Sequence, residues 1–436
     1  MKKKNNMKNF YLPWSKSISN RCLILWALAE GESNLRGVLE SDDTKAMIQA
    51  LKELWFQVSN QWGWSISIVW WIESIKSRAS LILDGNESGT SVRFLAGLAI
   101  LFVDKIDEII ITGSDRMCQR PIHILSDSIE QLGIKTSTNE GCPPLRLSKN
   151  KEKNIIDIQR VVMNGNISSQ YFTSLLQIGA MLPQGLEIEV EGNLVSKPYI
   201  DITIHELKKF GVEVVNNDYK IFRVEKQVYK PVDICIEWDA SALSYIATYI
   251  FLHGWELQIK NLWAETKQWD YSFLNILKQF WLEHASDWQT TTIKSKWMNQ
   301  EDFSTYTDLD IDFSEIPDVS LTFIVLAILF PGKTKLRGLQ TLNLKECRRI
   351  DAMAAEIKKL WVTVKYDNES MTIGALGIVW RDESIDIETY NDHRIAMSFG
   401  ILNSYIWWLN ILDKKCVNKT YPNFWDDLKI LPNLLK

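Results

Sequence analysis

Five times along this chain the end of an amphipathic helix meets one special residue and then a short strand. The copies are LKELWFQV (51–58), IEQLGIKT (129–136), LKKFGVEV (207–214), LKQFWLEH (277–284) and IKKLWVTV (357–364). Apolar residues spaced by three before the special residue give a helical face, and alternation by two after it gives a strand. The special residues, 55, 133, 211, 281 and 361, lie about 70–80 apart, a period that predicts duplicated α/β units. Three copies precede residue 237 and two follow it. A sixth unit is expected to be shared between the N-terminal strand and the C-terminal FWDDLKIL. The pattern therefore predicts two similar domains of three units each, with the chain crossing over near 14 and again near 237.

The special position follows a last helical turn that carries lysine in four of the copies. It is the C′ site, which commonly turns left-handed and favours glycine. Gly133 and Gly211 fit; Trp55, Trp281 and Trp361 do not. A side chain in that conformation costs about 1–2 kcal/mol, so one unit uses glycine and tryptophan interchangeably although no physical property makes them so. The chain holds 19 Trp against 20 Gly, whereas glycine is ordinarily about 7% of a protein. The pairs Trp70-Trp71 and Trp407-Trp408 and the triplet WGW at 62–64 also sit among turn-like residues, where glycine usually punctuates. The reading that reconciles these facts is a UGA codon, translated here as Trp but read as Gly by the organism. Trp425, following Phe424 in YPNFWDD, is the expected exception.

A length of 436 residues exceeds one ordinary core and again suggests two domains. Hydrophobic content of 46% and charged content of 24% are those of a soluble globular protein. The longest apolar run, LTFIVLAILF at 321–330, is about half of a membrane span. The basic start MKKKNNMKNF leads into no apolar region and reads as no secretory signal. Six cysteines, at 22, 118, 142, 235, 347 and 416, lack CxxC spacing, which argues against a zinc site or a disulfide framework. A reduced, cytoplasmic, monomeric enzyme is expected. With a net charge of −5 no nucleic-acid or membrane partner is expected, and an anionic ligand must meet a local cluster of Lys and Arg.

Such clusters recur. SKSISNR offers Lys16, Ser17 and Arg21 before a helix, and serine and lysine at a helix N-terminus form an anion site; a solvated loop would look similar. ESGTSVR (87–93) brings Gly89 and Arg93 to a second helix start, and SDRMCQRPI brings Arg116 and Arg120. ISSQ supplies Ser168, Ser169 and Gln170, which also suit a helix cap, and LVSKPYIDIT supplies Ser196, Lys197 and Tyr199. Further on stand Asp318 in EIPDVS, then Lys345, Glu346, Arg348 and Arg349 in NLKECRRID. Asp392, His393 and Arg394 follow in YNDHR, and Lys419 in NKTYPNF. RRID alone reads as a solvated helix face and NDHR alone as a turn. Together, basic residues at element ends in both halves suit a cleft gripping a small polyanion between domains. No Walker loop, GxSxG elbow, HExxH or dinucleotide fingerprint is present.

These motifs, LPWSKSISNR, ESGTSVRFL, DRMCQRPI, ISSQYFTSLL, LVSKPYIDIT, IPDVSLT, LKECRRIDAM and YNDHRIAM, run in order from residue 12 to about 428. They resemble the 3-phosphoshikimate 1-carboxyvinyltransferase (EPSP synthase) family. That family has glycine where Trp14, Trp238 and Trp269 stand here, in agreement with the recoding inferred from the repeat. The resemblance implies a two-domain inside-out α/β barrel, each domain three βαβαββ repeats with pseudo-threefold symmetry. Residues 1–13 and 238–436 would form the first domain and 14–237 the second, with the active site in the cleft between them and hinges near 14 and 237.

The resemblance implies transfer of the enolpyruvyl group of phosphoenolpyruvate to the 5-hydroxyl of shikimate 3-phosphate, with neither metal nor organic cofactor. Two phosphates and two carboxylates must share one site, which explains the many cations. By resemblance Lys16, Ser17, Arg21, Ser168, Ser169, Gln170, Ser196, Tyr199, Asp318 and Lys345 hold shikimate 3-phosphate. Lys16, Gly89, Arg120, Gln170, Arg349, Arg394 and Lys419 hold phosphoenolpyruvate, while Arg93 supports its loop. Addition and elimination through a tetrahedral ketal need a base at the hydroxyl and an acid at the methylene carbon. Asp318 matches the residue at the hydroxyl and Glu346 the proton donor, with Lys16 suited to either step; capping after Pro317 is the plain alternative for Asp318. A sister enzyme acting on UDP-N-acetylglucosamine uses a loop cysteine, but Cys118 lies only two residues before Arg120. A non-catalytic scaffold follows only if the tryptophans at glycine positions are literal.

Overall fold

The computed structural model describes residues 9–31, 33–61, 65–69, 77–150, 160–377 and 382–434. The chain divides into two compact units, Trp14–Ile236 and Met1–Pro13 with Glu237–Lys436.

In the Trp14–Ile236 unit the same strand order occurs three times. Arg78–Asp84 lies parallel to Ile106–Thr112, which pairs antiparallel with Cys142–Lys149, itself beside Ile134–Asn139. Arg160–Asn164, Leu186–Glu191, Ile221–Val224 and Val215–Asn217 repeat the pattern. Ile234–Cys235, Ser33–Arg36, Ser65–Val69 and Gln57–Gln61 complete it, so the last strand of the unit closes its first sheet. Alternating burial along the strands turns Leu81, Leu83, Ile109 and Ile111 inward. They face three helices, Lys16–Leu28, Gly89–Ala99 and Ser169–Gly179, which pack on one another and are buried nearly all round. A helix apolar on every side belongs inside a core, so these helices are the centre and the sheets the wall.

The other unit repeats the plan. Asn9–Phe10 runs parallel to Glu256–Lys260, followed by Thr290–Lys294 and Glu283–Ser286. Leu309–Asp312, Gly332–Arg337, Ser370–Ala375 and Thr363–Tyr366 form the second sheet. Among the described residues the third is the parallel pair Ile385–Ile387 and Leu409–Ile411. Ala240–His253, Ser320–Ala327 and His393–Ile406 are the central helices. The expectation of a sixth unit shared between the chain ends is overturned. Phe10 and Leu12 are buried in the same core as Leu257 and Ile259, which fixes the N-terminal strand to the first sheet. FWDDLKIL opens the helix Phe424–Leu434, where Phe424 and Leu431 are buried.

All five repeat junctions are left-handed: Gly133 at φ 81 and Gly211 at φ 79, Trp55 at 66, Trp281 at 80 and Trp361 at 60. A further pair was not read from the sequence. Gly254 ends Ala240–His253 at φ 69, and Trp407 ends the corresponding helix His393–Ile406 at φ 58. At about 1–2 kcal/mol each, four strained tryptophans would cost roughly 4–8 kcal/mol, comparable to the whole stability of a domain. Trp361→Gly should therefore raise the free energy of unfolding by about 1 kcal/mol in a denaturant titration, against the general trend that glycine destabilises. Trp14, Trp238 and Trp269 are not left-handed, so the expected glycine turn at 14 and 238 is not carried by backbone angle. Trp14 instead crowds Gly37, where an added Cβ would lie 2.6 Å from the indole. The triplet at 62–64, the pair at 70 and 71, and Trp380 lie outside the described residues.

Candidate functional site: anion-binding ends of two helix trios

In the Trp14–Ile236 unit the three central helices each begin on a serine cap. Ser15 accepts from the Ile18 amide, Ser88 from Ser91 and Ser168 from Gln170. The helix starts therefore carry Lys16 and Ser17, Gly89 and Thr90, and Ser169 and Gln170, where the helix dipole favours an anion. The capping alternative is correct for Ser168, yet it leaves the neighbouring groups in place.

Lys16 Nζ lies 3.0 Å from Asp43, a partner that the sequence reading missed inside the capping box SDDT. Arg93 donates to the Gly89 carbonyl at 3.3 Å and to Gln170 Oε1 at 2.7 Å, tying two helix starts together. Arg120 is 6% exposed. Among the described residues its NH1 meets the Met117 sulfur at 3.9 Å, and its Nε has no hydrogen-bond partner. A buried guanidinium is costly unless it is paired with an anion, so this position suits an anionic ligand. An added Cβ on Gly89 would meet Arg93 NH1 at 2.6 Å and Arg120 NH1 at 2.7 Å. Gly89→Ala should displace these guanidinium tips and raise KM for the anionic substrate by roughly tenfold, with unfolding unchanged, since the ends of flexible side chains can move. An unchanged KM would show that the two arginines do not act on the ligand.

Arg21 lies in the second turn of Lys16–Leu28. It is buried, with Nε on Thr203 at 2.9 Å and NH1 and NH2 on the carbonyls of Ser17 and Tyr199 at 2.7 and 3.0 Å. Burial lowers its pKa to about 10. In this structure it binds Lys16–Leu28 to Lys197–Lys209. Ser196 stands just before that second helix at φ 55, and the Tyr199 amide donates to its carbonyl at 3.1 Å.

The other unit gathers charge at the starts of its own trio. Asp318 lies in the 3-10 turn Pro317–Val319, which leads into Ser320–Ala327. Its carboxylate receives Arg349 at 3.0 Å, Arg394 at 3.3 Å and Lys345 at 3.4 Å. Burial by itself would raise its pKa, but Lys345, Arg394 and Arg349 outweigh that and hold it far below the usual carboxylate range. Arg349 is buried, donating to Asp392 at 2.7 and 3.2 Å and to Glu346 at 2.9 Å. Lys419 lies 3.2 Å from the other Glu346 oxygen. RRID thus splits: Arg348 is the solvated partner of Asp351, while Arg349 points inward. Asp392 is fully buried, caps His393–Ile406 through the Arg394 amide and accepts from the Cys347 thiol at 3.6 Å. Four cations (Lys345, Arg349, Arg394, Lys419) meet three carboxylates (Asp318, Glu346, Asp392).

The sequence did not reveal Ser241 and Asp270. Ser241 Oγ donates to Asp270 and accepts from Arg394 at 3.4 Å. Asp270 sits in QWD, a segment noted only for its tryptophan, so no signal of spacing could have found it.

Each unit gathers cations at the starts of its helix trio, a chemistry suited to small polyanions. The profile of the family described as EPSP synthase (3-phosphoshikimate 1-carboxyvinyltransferase) matches residues 4–428. A protein of that enzyme name from Haemophilus ducreyi is 34% identical over 432 residues, covering 96% of this chain and 94% of its own. Its counterpart in Haemophilus influenzae is 35% identical over 430 residues, covering 96% and 95%. The solved EPSP synthase of Acinetobacter baumannii superposes with a TM-score of 0.73 at 20% identity, over 96% of this chain and 94% of that one. The chain belongs to the EPSP synthase family.

Proposed function

We propose that the chain transfers the enolpyruvyl group of phosphoenolpyruvate to the 5-hydroxyl of shikimate 3-phosphate, releasing phosphate, on the route to chorismate and the aromatic amino acids. Family membership supports the reaction. The observation that carries it to particular residues is Asp318, a carboxylate fixed among three cations that bind anions better than they bind one another.

In the first step the 5-hydroxyl oxygen attacks C2 of phosphoenolpyruvate while a proton is added to C3, giving the ketal. In the second, the C2–O bond to phosphate breaks and C3 loses a proton. Asp318 takes the hydroxyl proton. Its low proton affinity suits a group awaiting substrate: as Arg349, Arg394 and Lys345 turn to the incoming carboxylate and phosphates, their hold weakens and its basicity rises toward what proton transfer needs. Glu346 delivers a proton to the methylene carbon. Of its two cationic neighbours Arg349 stays protonated, whereas Lys419 can release a proton and so recharge it. Lys16 holds both substrates and suits either proton-transfer step. Ser17, Arg21, Ser168, Ser169, Gln170, Ser196, Tyr199 and Lys345 hold shikimate 3-phosphate; Gly89, Arg120, Gln170, Arg349, Arg394 and Lys419 hold phosphoenolpyruvate.

The enzyme works as a cytoplasmic monomer on these small molecules. Among the described residues no helix is long and apolar enough to cross a membrane. Cys118 is tied into its own turn, 3.4 Å from the Gly113 carbonyl, which does not favour a catalytic loop cysteine. Phosphate release measured with each acceptor tests the reading: turnover with shikimate 3-phosphate is expected. Release with UDP-N-acetylglucosamine instead, or with neither, would overturn it.

A further inference from the structure

We propose that Asp270, acting through Ser241, is a positioning residue for Arg394 and so for phosphoenolpyruvate. The inference rests on the reading of Arg394 as a phosphoenolpyruvate ligand. A serine hydroxyl has one proton and two lone pairs. The Ser241 proton goes to the Asp270 carboxylate, so its lone pairs face the Arg394 guanidinium, 3.4 Å away. Without the carboxylate the hydroxyl could turn and present its proton to the cation. Asp270 is 8% exposed and is the second residue of the short 3-10 turn Trp269–Ser272, preceded by Gln268, whose side chain is fixed to the Ala240 amide at 3.1 Å and the Trp238 carbonyl at 2.9 Å. The turn, the helix Ala240–His253 and the helix His393–Ile406 thereby meet on one guanidinium.

The charged groups facing Asp270 are Arg394, which favours its ionisation, and Asp318 and Asp239, which oppose it. Burial contributes most and brings its pKa up to about 6. Above pH 6 the carboxylate is ionised and Ser241 is oriented; as pH falls through 6, the orientation is lost. In steady-state kinetics Asp270→Asn should raise KM for phosphoenolpyruvate roughly tenfold at pH 8, the size of one hydrogen bond to a charged group. It should leave kcat and KM for shikimate 3-phosphate within about twofold, and Ser241→Ala should behave alike. The KM ratio of variant to parent should approach one by about pH 5, because the parent has then lost the charge too. Taking the ratio cancels the ionisation of the substrate's own phosphate, which also falls near pH 6. Arg394→Ala separates the two readings. If it leaves KM for phosphoenolpyruvate unchanged, the ligand assignment falls. If it raises KM while Asp270→Asn does not, or if the Asp270→Asn ratio does not vary with pH, the positioning role falls. Asp270→Glu, keeping the charge, should recover part of the loss.

A second inference stands on backbone geometry, exposure and packing: we infer that residues 55, 281, 361 and 407 are glycine in the protein as its organism makes it, and that residue 425 is tryptophan. The first four are left-handed, at positions where corresponding junctions carry Gly133, Gly211 and Gly254. Trp281, Trp361 and Trp407 leave more than half of their surface in solvent, whereas tryptophan is on average largely buried. Trp425 differs in every respect. Its ring packs edge-on against Phe424 at 4.9 Å, its Nε1 donates to the Lys414 carbonyl at 2.8 Å, and Gly400 leaves it the space. Peptide mass analysis of the protein isolated from its own organism decides the matter. Fragmentation of the tryptic peptides 360–365 and 279–294 should place an indolylmethyl-for-hydrogen exchange at 361 and at 281, whatever the second peptide carries at 288, and 420–429 should have the written mass. Codons should read UGA at the four positions and UGG at 425. Tryptophan at 281 or 361, or glycine at 425, would overturn the assignment.

Discussion

Asp318→Ala should lower kcat by about 10²–10⁴-fold, the range for loss of a general base in proton transfer, while both substrates still bind. The direction of the binding effect follows from charge. Removing the carboxylate strips Arg349, Arg394 and Lys345 of a shared counter-ion, which leaves them more attractive to phosphate and carboxylate, not less. KM for either substrate should therefore stay within a few fold or fall. The variant should fold, because Arg349 keeps Asp392 and Glu346. Steady-state kinetics with both substrates varied checks this, and a kcat within tenfold of the parent would remove Asp318 from the reaction.

Asp392→Ala should act on stability and turnover together. Asp392 has no exposure and is the two-oxygen partner of Arg349, itself 1% exposed. It is also the cap of His393–Ile406. Leaving Arg349 buried without this partner is worth about 3–5 kcal/mol, and loss of the cap adds about 1 kcal/mol. The unit carrying it should unfold at lower denaturant, and Arg349 should swing toward Asp318 and Glu346, occupying the groups needed for catalysis. Asp392→Asn keeps an oxygen for the cap and should recover part of the stability but little turnover, since an amide cannot offset the guanidinium charge. Equal stability of parent and Asp392→Ala would mean that Arg349 is satisfied by Glu346 and Asp318 alone.

The sequence marked the repeat junctions well because each is local: a lysine-bearing last turn, one residue, then alternation. It marked residue 407 less well, since that helix ends without the repeated phrase. Likewise SKS, SGTS and SSQ announce helix starts by their own chemistry, yet nothing near Arg120 says that its guanidinium lies buried beside the Met117 sulfur. Arg348 and Arg349 are neighbours of the same residue type and fare oppositely, one in solvent and one in the core. Helical periodicity permits either face; only the position of Asp392, 43 residues on, selects between them.

What the sequence determined by itself is what depends on neighbouring residues: the α/β repeat, its left-handed junctions, the conflict of tryptophan with glycine there, and the motifs that resemble one family. The tertiary structure decided the rest. It joined the N-terminal strand to the sheet of Glu256–Lys260, bound Arg21 to Thr203 and to the carbonyls of Ser17 and Tyr199, and set Ser241 and Asp270 behind Arg394. Those outcomes depend on burial and on charges brought together from distant segments, and the energy of a buried charge is fixed by whatever the fold places within a few ångströms of it, not by its place in the chain.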